Sequence, residues 1–152
     1  MTLSRQPTPR AHRPAMGYTW MGGPGIPTTR DGRGVAKLVD IDADQLCLGT
    51  YIHPTSLAQP ERAEAWMRAV AEVATLRMLG AGSVDLASVA DGSLGVWVQH
   101  SVADWDWLPG LALVEGAGGA GVKVEAGGVT WCVAGNSRAV EQVASALTRM
   151  TA

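Results

Sequence analysis

The chain has 152 residues, 47% of them hydrophobic, with twelve Lys and Arg against fourteen Asp and Glu for a net charge of −2. That length suits one domain with a substantial core, and that balance carries no broad basic field, which argues against a dedicated nucleic-acid binder. No stretch approaches the ~20 uninterrupted apolar residues of a membrane span and no signal-peptide core opens the chain, so a cytoplasmic protein with no membrane partner is expected.

Residues 1–15 hold Arg5, Arg10, His12, Arg13 and three prolines without an acid or an apolar period, and read as a disordered Pro/Arg-rich tail ahead of a domain over 16–152. Tyr18-Thr19-Trp20-Met21 is strand-like, and Gly22-Gly23-Pro24-Gly25 turns it into Ile26-Pro27, so a hairpin is predicted. A second apolar strand covers 46–51 and is closed by His53-Pro54. Pro60 opens a long helix, because Ala63, Trp66, Met67, Val70, Val73, Ala74, Arg77 and Met78 recur at three- and four-residue steps until Gly80-Ala81-Gly82-Ser83 breaks it. A short helix over 83–90 stops at Asp91-Gly92, and 95–99 reads as a buried strand. Further on come a strand over 122–125, a Gly127-Gly128 turn, a strand over 129–134, and a final helix capped at Asn136 or Ser137. Strands alternate with helices, which predicts an α/β fold with helices packed on a mainly buried sheet. Cys47 and Cys132 belong to no metal-spacing motif and are expected as buried free thiols; His12, His53 and His100 form neither a metal nor a triad pattern.

The run Ala103-Asp104-Trp105-Asp106-Trp107-Leu108-Pro109-Gly110 places a carboxylate where a turn becomes an apolar helix, which Gly118-Gly119 then ends. With Asp106 as N-cap, Trp107, Leu108 and Pro109 are the first helical residues, and Pro109 has no amide for the cap to bind. Asp106 is then freer than an ordinary cap to hold a cation, with an anion beside it at the positive end of the helix. A purely structural cap is the competing reading.

Taken in order, Arg77-Met78-Leu79-Gly80-Ala81-Gly82-Ser83-Val84-Asp85-Leu86, Val89-Ala90-Asp91-Gly92, Trp105-Asp106 with Gly110, Glu115-Gly116-Ala117-Gly118-Gly119 and Val133-Ala134-Gly135-Asn136 resemble the C-terminal half of the inositol monophosphatase family. The resemblance implies the C-terminal half of a layered α/β/α/β/α sandwich and Mg²⁺-dependent hydrolysis of a small phosphate monoester, such as an inositol phosphate or histidinol phosphate. It implies Asp106 as a metal ligand, and backbone amides of Ala81, Gly82 and Ser83 turned toward substrate. Gln99 stands seven residues before Asp106, where the family often has an acid that contacts substrate hydroxyls; Gln keeps the hydrogen bonding and loses the charge.

The family builds its metal cluster mainly from a Gly-Glu-Glu element and an Asp-Pro-x-Asp-Gly-Thr loop, and this sequence contains neither. Asp91 and Asp31 lack the partners that would make substitutes, so no catalytic residue is assigned. Two cations held ~3.5–4 Å apart need several converging carboxylates, and a lone Asp106 does not supply them. A truncated phosphatase, weakly active or inactive alone, is therefore the leading expectation. The alternative is a non-catalytic half-domain acting as an interaction or binding module, paired as a homodimer or with a separately encoded N-terminal half. A gene fragment or misplaced start codon is a third reading, suggested by the Pro/Arg-rich residues before Met16.

Overall fold

The computed structural model describes residues 8–150. Its N-terminal part is an antiparallel meander of β1 (Arg10–Arg13), β2 (Tyr18–Gly23), β3 (Ile26–Arg30) and β4 (Arg33–Gly34), paired in chain order. The larger sheet contains β5 (Cys47–Thr50), β6 (Thr75–Arg77), β7 (Val96–His100), β8 (Ala120–Ala126) and β9 (Val129–Gly135) in the order β6-β5-β7-β9-β8. β5 runs parallel to both β6 and β7, whereas β9 is antiparallel to β7 and β8. The helices are α1 (Pro54–Leu57), α2 (Pro60–Ala71), α3 (Gly82–Ala90), α4 (Asp104–Gly116) and α5 (Ser137–Thr148).

Two-residue alternation along β7 sorts the core into two parts. Val96 and Val98 join Leu48, Trp131 and Val133 under α2 and α5, while Trp97 turns to the opposite face with Leu86, Trp107, Leu113 and Trp20. The layers run α2/α5, large sheet, α3/α4, meander, an α/β/α/β stack that agrees with the expected layered architecture. α3 lies between two sheets, so Asp85 through Ala90 are all buried and no polar stripe is needed.

Three expectations are corrected. The unstructured tail does not hold at Arg10–Arg13, which pair with β2 from Arg10↔Met21 to Arg13↔Tyr18; backbone pairing to an edge, not apolar periodicity, orders them. Residues 1–7 lie outside the described part. The long helix from Pro60 ends at Ala71; of the residues that continued its period, Val73 and Ala74 form the turn before β6, Arg77 ends β6 and Met78 follows it. There Ala74 N–H donates to Leu46 O at 3.0 Å and Leu76 pairs beside Leu48, so sheet pairing wins over helical spacing.

The third correction concerns Asp106. The N-cap of α4 is Ala103, in extended conformation, and the amides of Asp106 and Trp107 both donate to Ala103 O at 3.0 Å. Asp106 is the third helical residue and Pro109 lies inside the helix, where its missing N–H leaves the Trp105 carbonyl without its helical donor. The C-terminus follows the expectation: Gly118 N–H donates to Glu115 O and Gly119 N–H to Val114 O, each at 2.9 Å, with Gly118 at φ +88°. This is the Schellman arrangement, which needs a left-handed residue and so favours Gly. Asn136 caps α5, its side chain accepting from Ala139 N–H at 3.0 Å. Both cysteines are free thiols, Cys132 buried as expected but Cys47 only half-buried near the edge of the large sheet.

Candidate functional site

Beyond the C-terminal ends of β5 and β7 lies a cleft of about 250 Å³ lined by Tyr51, Gly80, Gly82, Trp97, Gln99, Val102 and Asp106. Crevices outside strand C-termini are where open α/β sheets place ligands. Gln99 reaches it because residues two apart on β7 share a face, so Trp97 and Gln99 both turn toward α3 and α4. Gly82 opens α3 against them: a Cβ at this position would stand 3.5 Å from Trp97 Cζ2 and 3.9 Å from Gln99 Oε1.

The start of α3 lacks a cap. Ala81 is the N-cap residue and offers no side-chain acceptor, and the first helical bond there is Asp85 N–H to Ala81 O at 2.8 Å. The amides of Gly82, Ser83 and Val84 therefore have no acceptor within the helix, at the end where the dipole is positive. The five residues singled out in the sequence divide accordingly. Gly82, Gln99 and Asp106 line one cleft, while Ala81 and Ser83 flank Gly82 and are exposed without lining it.

Asp106 is exposed on the first turn of α4, and its carboxylate makes no hydrogen bond or ion pair among the described residues. Its neighbour Asp104 pairs with Lys123 at 3.3 Å. Trp107 is buried and stacks on Trp97, with ring centroids 6.2 Å apart and planes at 19°. The ring that follows Asp106 in sequence thus rests on the floor of the cleft.

Two groups were given no role by sequence reasoning. Asp85 is 1% exposed, one helical turn after Gly82. Burial pushes its carboxyl up to about 6, against the opposing pull of the Trp97 indole and Arg13. A carboxyl raised in the fold binds protons more tightly there than in the unfolded chain, so its contribution to stability is full below pH 3.8 and lost as pH rises through about 6. Asp85→Asn removes that cost: chemical denaturation at pH 7.5 is expected to show a gain on the order of 2 kcal/mol that vanishes near pH 4.

The second group is His100, whose Nε2 lies 3.1 Å from Ser56 Oγ and whose Nδ1 lies 2.9 Å from Ser101 Oγ. Its ring stands edge-on to Trp131 at 4.9 Å. Burial, and then Arg62, hold its pKa below the usual histidine value, so its contribution is present above 6.5 and is lost as pH falls through the folded value. His100 faces away from the cleft, on the Trp131 side of the sheet. The other histidines serve local structure: His12 bonds Thr19 at 2.8 Å, and His53 caps α1 through Thr55 N–H at 3.2 Å. Among the described residues no three His, Cys, Asp or Glu gather closely enough to hold a metal ion, and no helix is long and apolar enough to cross a membrane.

Layered sheets and helices thus bring an uncapped helix start and an exposed carboxylate to the lining of one small cleft in an α/β protein. The sequence profile of the inositol monophosphatase family matches residues 17–151, and the chain belongs to that family. It is 42% identical over 57 residues to the inositol-1-monophosphatase of Rhizobium meliloti (strain 1021), an alignment covering 38% of this chain and 21% of that protein. Among solved structures it resembles the extragenic suppressor protein suhB of Bartonella henselae, with a TM-score of 0.80 at 20% identity, over 93% of this chain and 56% of the other. It also resembles inositol monophosphatase-II of Staphylococcus aureus MSSA476, with a TM-score of 0.78 at 19% identity, over 91% of this chain and 56% of the other. SaIMPase-II has been solved with inositol monophosphate and with 2'AMP bound. The chain thus spans little more than half the length of the solved structures it matches.

Proposed function

We propose that this chain carries the substrate-facing part, and one metal ligand, of a Mg²⁺-dependent phosphomonoesterase site. The supporting observation is the convergence of Gly82, Gln99 and Asp106 on a single cleft. A phosphate monoester is anchored by the free amides of Gly82 and Ser83 at the start of α3, with Ala81 shaping the approach. Gln99 supplies an amide to the hydroxyls of the organic part, and the substrate is a small phosphate monoester such as an inositol phosphate or histidinol phosphate. The ligands bound to SaIMPase-II support this class.

The donor set fits one Mg²⁺ held by Asp106, water and the oxygens of the bound phosphate, where the cation would neutralise phosphate charge. It does not fit two cations. Asp106 is the carboxylate on the cleft lining, and Asp85 is buried behind Trp97. Hydrolysis by two metals needs further carboxylates, so the described residues bind and orient phosphate but do not by themselves complete the reaction. On this reading 16–152, extended by β1, is a half-domain working in the cytoplasm.

A second reading, a binding module that pairs with itself or with a complementary N-terminal half, is favoured by one observation. Trp105, Leu108, Leu79 and Met78 are 80%, 55%, 52% and 44% exposed, and they adjoin the residues of the cleft lining in sequence. Light scattering on the purified chain separates the two readings: a folded monomer that binds phosphate supports the first, and an obligate dimer the second.

Phosphate release from inositol 1-phosphate or histidinol phosphate with Mg²⁺ is expected to be negligible for the chain alone, and release that Asp106→Asn abolishes would show that it completes the reaction after all. Specificity has its own test. Gln99→Glu puts a charged acceptor against substrate hydroxyls, and the calorimetric affinity ratio of inositol 1-phosphate to inorganic phosphate is expected to rise roughly fivefold. An unchanged ratio removes Gln99 from the substrate contacts.

A further inference from the structure

Asp85 and Trp97 present a buried acceptor beside a buried donor. A Cβ at Gly49 of β5 would stand 3.3 Å from Trp97 Cδ1 and 3.9 Å from Asp85 Cβ, and one at Gly82 would stand 3.5 Å from Trp97 Cζ2. Cδ1 and Cζ2 flank the indole nitrogen. The N–H edge of the ring therefore faces the side of α3 that carries Gly82 and, one turn on, Asp85. Trp97 is 0% exposed and Asp85 1% exposed, and both Trp97 Nε1 and Asp85 Oδ1 are buried without a hydrogen-bond partner among the described residues, each other included. A buried N–H and a buried carboxyl oxygen are each costly to leave unsatisfied, and each is the other's natural partner.

The position of this pair gives it consequence. Trp97 lines the cleft, shares a strand face with Gln99 and stacks on Trp107, the residue after Asp106. Besides Trp97, Asp85 has Gly49 of β5 beside it and the guanidinium of Arg13 on β1 at longer range. Resting on the reading of the cleft as a phosphate site, we infer that Asp85 is a positioning residue: its carboxyl anchors the Trp97 indole N–H and so holds the floor of the cleft between the start of α3 and Asp106. Asp85 touches no substrate. It acts through Trp97, which sets the spacing between the two groups that meet the phosphate.

The test uses the full chain with ¹⁵N-labelled tryptophan, which carries six indole signals. The Trp97 signal is assigned through its proximity to the Gly82 amide, leaving the core ring in place. In the unsubstituted protein this signal is expected to follow pH as the Asp85 carboxyl titrates, and in Asp85→Asn to be independent of pH. Asn keeps an acceptor oxygen, so Asp85→Asn retains affinity for inorganic phosphate with Mg²⁺ within about twofold, whereas Asp85→Ala weakens it roughly five- to tenfold. A Trp97 signal that ignores pH in the unsubstituted chain, or that titrates unchanged in Asp85→Asn, overturns the inference. If the unsubstituted chain takes no phosphate at all, the reading of the cleft fails, and the indole signal alone still decides whether Asp85 holds Trp97. If Asp85→Ala does not fold, the comparison with Asp85→Asn across pH decides the same question.

Discussion

Asp106→Asn is expected to weaken Mg²⁺-dependent binding of inorganic phosphate by at least about tenfold while leaving the fold and its stability unchanged, as a lost metal contact commonly does. The side chain is exposed and has no protein partner among the described residues, so its replacement by an isosteric amide breaks no internal contact. It removes the charge that a hard cation needs from its oxygen ligands. Calorimetric titration of phosphate at fixed Mg²⁺ measures the effect, and the same titration without Mg²⁺ should show little difference between the two proteins. Asp104→Asn is the matched control, because that carboxylate, on the same helical turn as Asp106, is already paired with Lys123 of β8. A similar loss from both variants would mean that a diffuse negative surface, and not Asp106, attracts the cation.

Gly110→Ala is expected to destabilise the protein by about 2–3 kcal/mol, the range for overpacking a close contact. α3 and α4 cross where Gly110 faces Leu86, and an added Cβ would stand 2.3 Å from Leu86 Cδ1 and 2.7 Å from Leu86 Cβ. Leu86 is fully buried between two sheets and has no free space to retreat into, so the helices must separate. That separation moves the start of α4, and with it Asp106, away from α3. Urea denaturation should show the loss, and phosphate affinity should fall along with stability. Gly110 thus has a packing reason for its place beside Asp106: it lets the two helices that carry the cleft approach each other.

The family motifs were legible because they are short, contiguous and ordered along the chain, and the elements between them alternate clearly. The hairpin around Gly22–Gly25, the buried strand ending at Gln99 and the helix stop at Gly118 all occur where local chemistry predicts them. What escaped was decided by distant partners. Arg10–Arg13 form a strand only because β2 offers an edge, and Val73 to Met78 continue a helical period although β5 claims part of that segment. Asp106 resembles an N-cap in sequence, yet Ala103 begins the helix and accepts its first amides. Pro109 misled the reading, since its missing amide belongs to the helix interior and not to a cap.

The candidate site was partly legible for the same reasons. Gly82, Gln99 and Asp106 are spread over three elements, and their motifs named them before any geometry brought them together. Asp85 stands inside the first of those motifs but drew no role, because a helix covered on both sides buries residues at every angle and the sequence shows no face for them. His100 and Ser56 meet across 44 residues, a contact that no local spacing records.

On the proposed reading, Asp106 and the start of α3 hold one phosphate and one divalent cation between them. Paramagnetic broadening by Mn²⁺, with inorganic phosphate present, locates that cation on the ¹⁵N-labelled full chain. Broadening is expected to centre on the amides of Gly82, Ser83 and Asp106 and on the Gln99 side chain, and to be lost in Asp106→Asn. Broadening that centres elsewhere, or that persists undiminished in Asp106→Asn, would mean that the cation does not sit between Asp106 and α3.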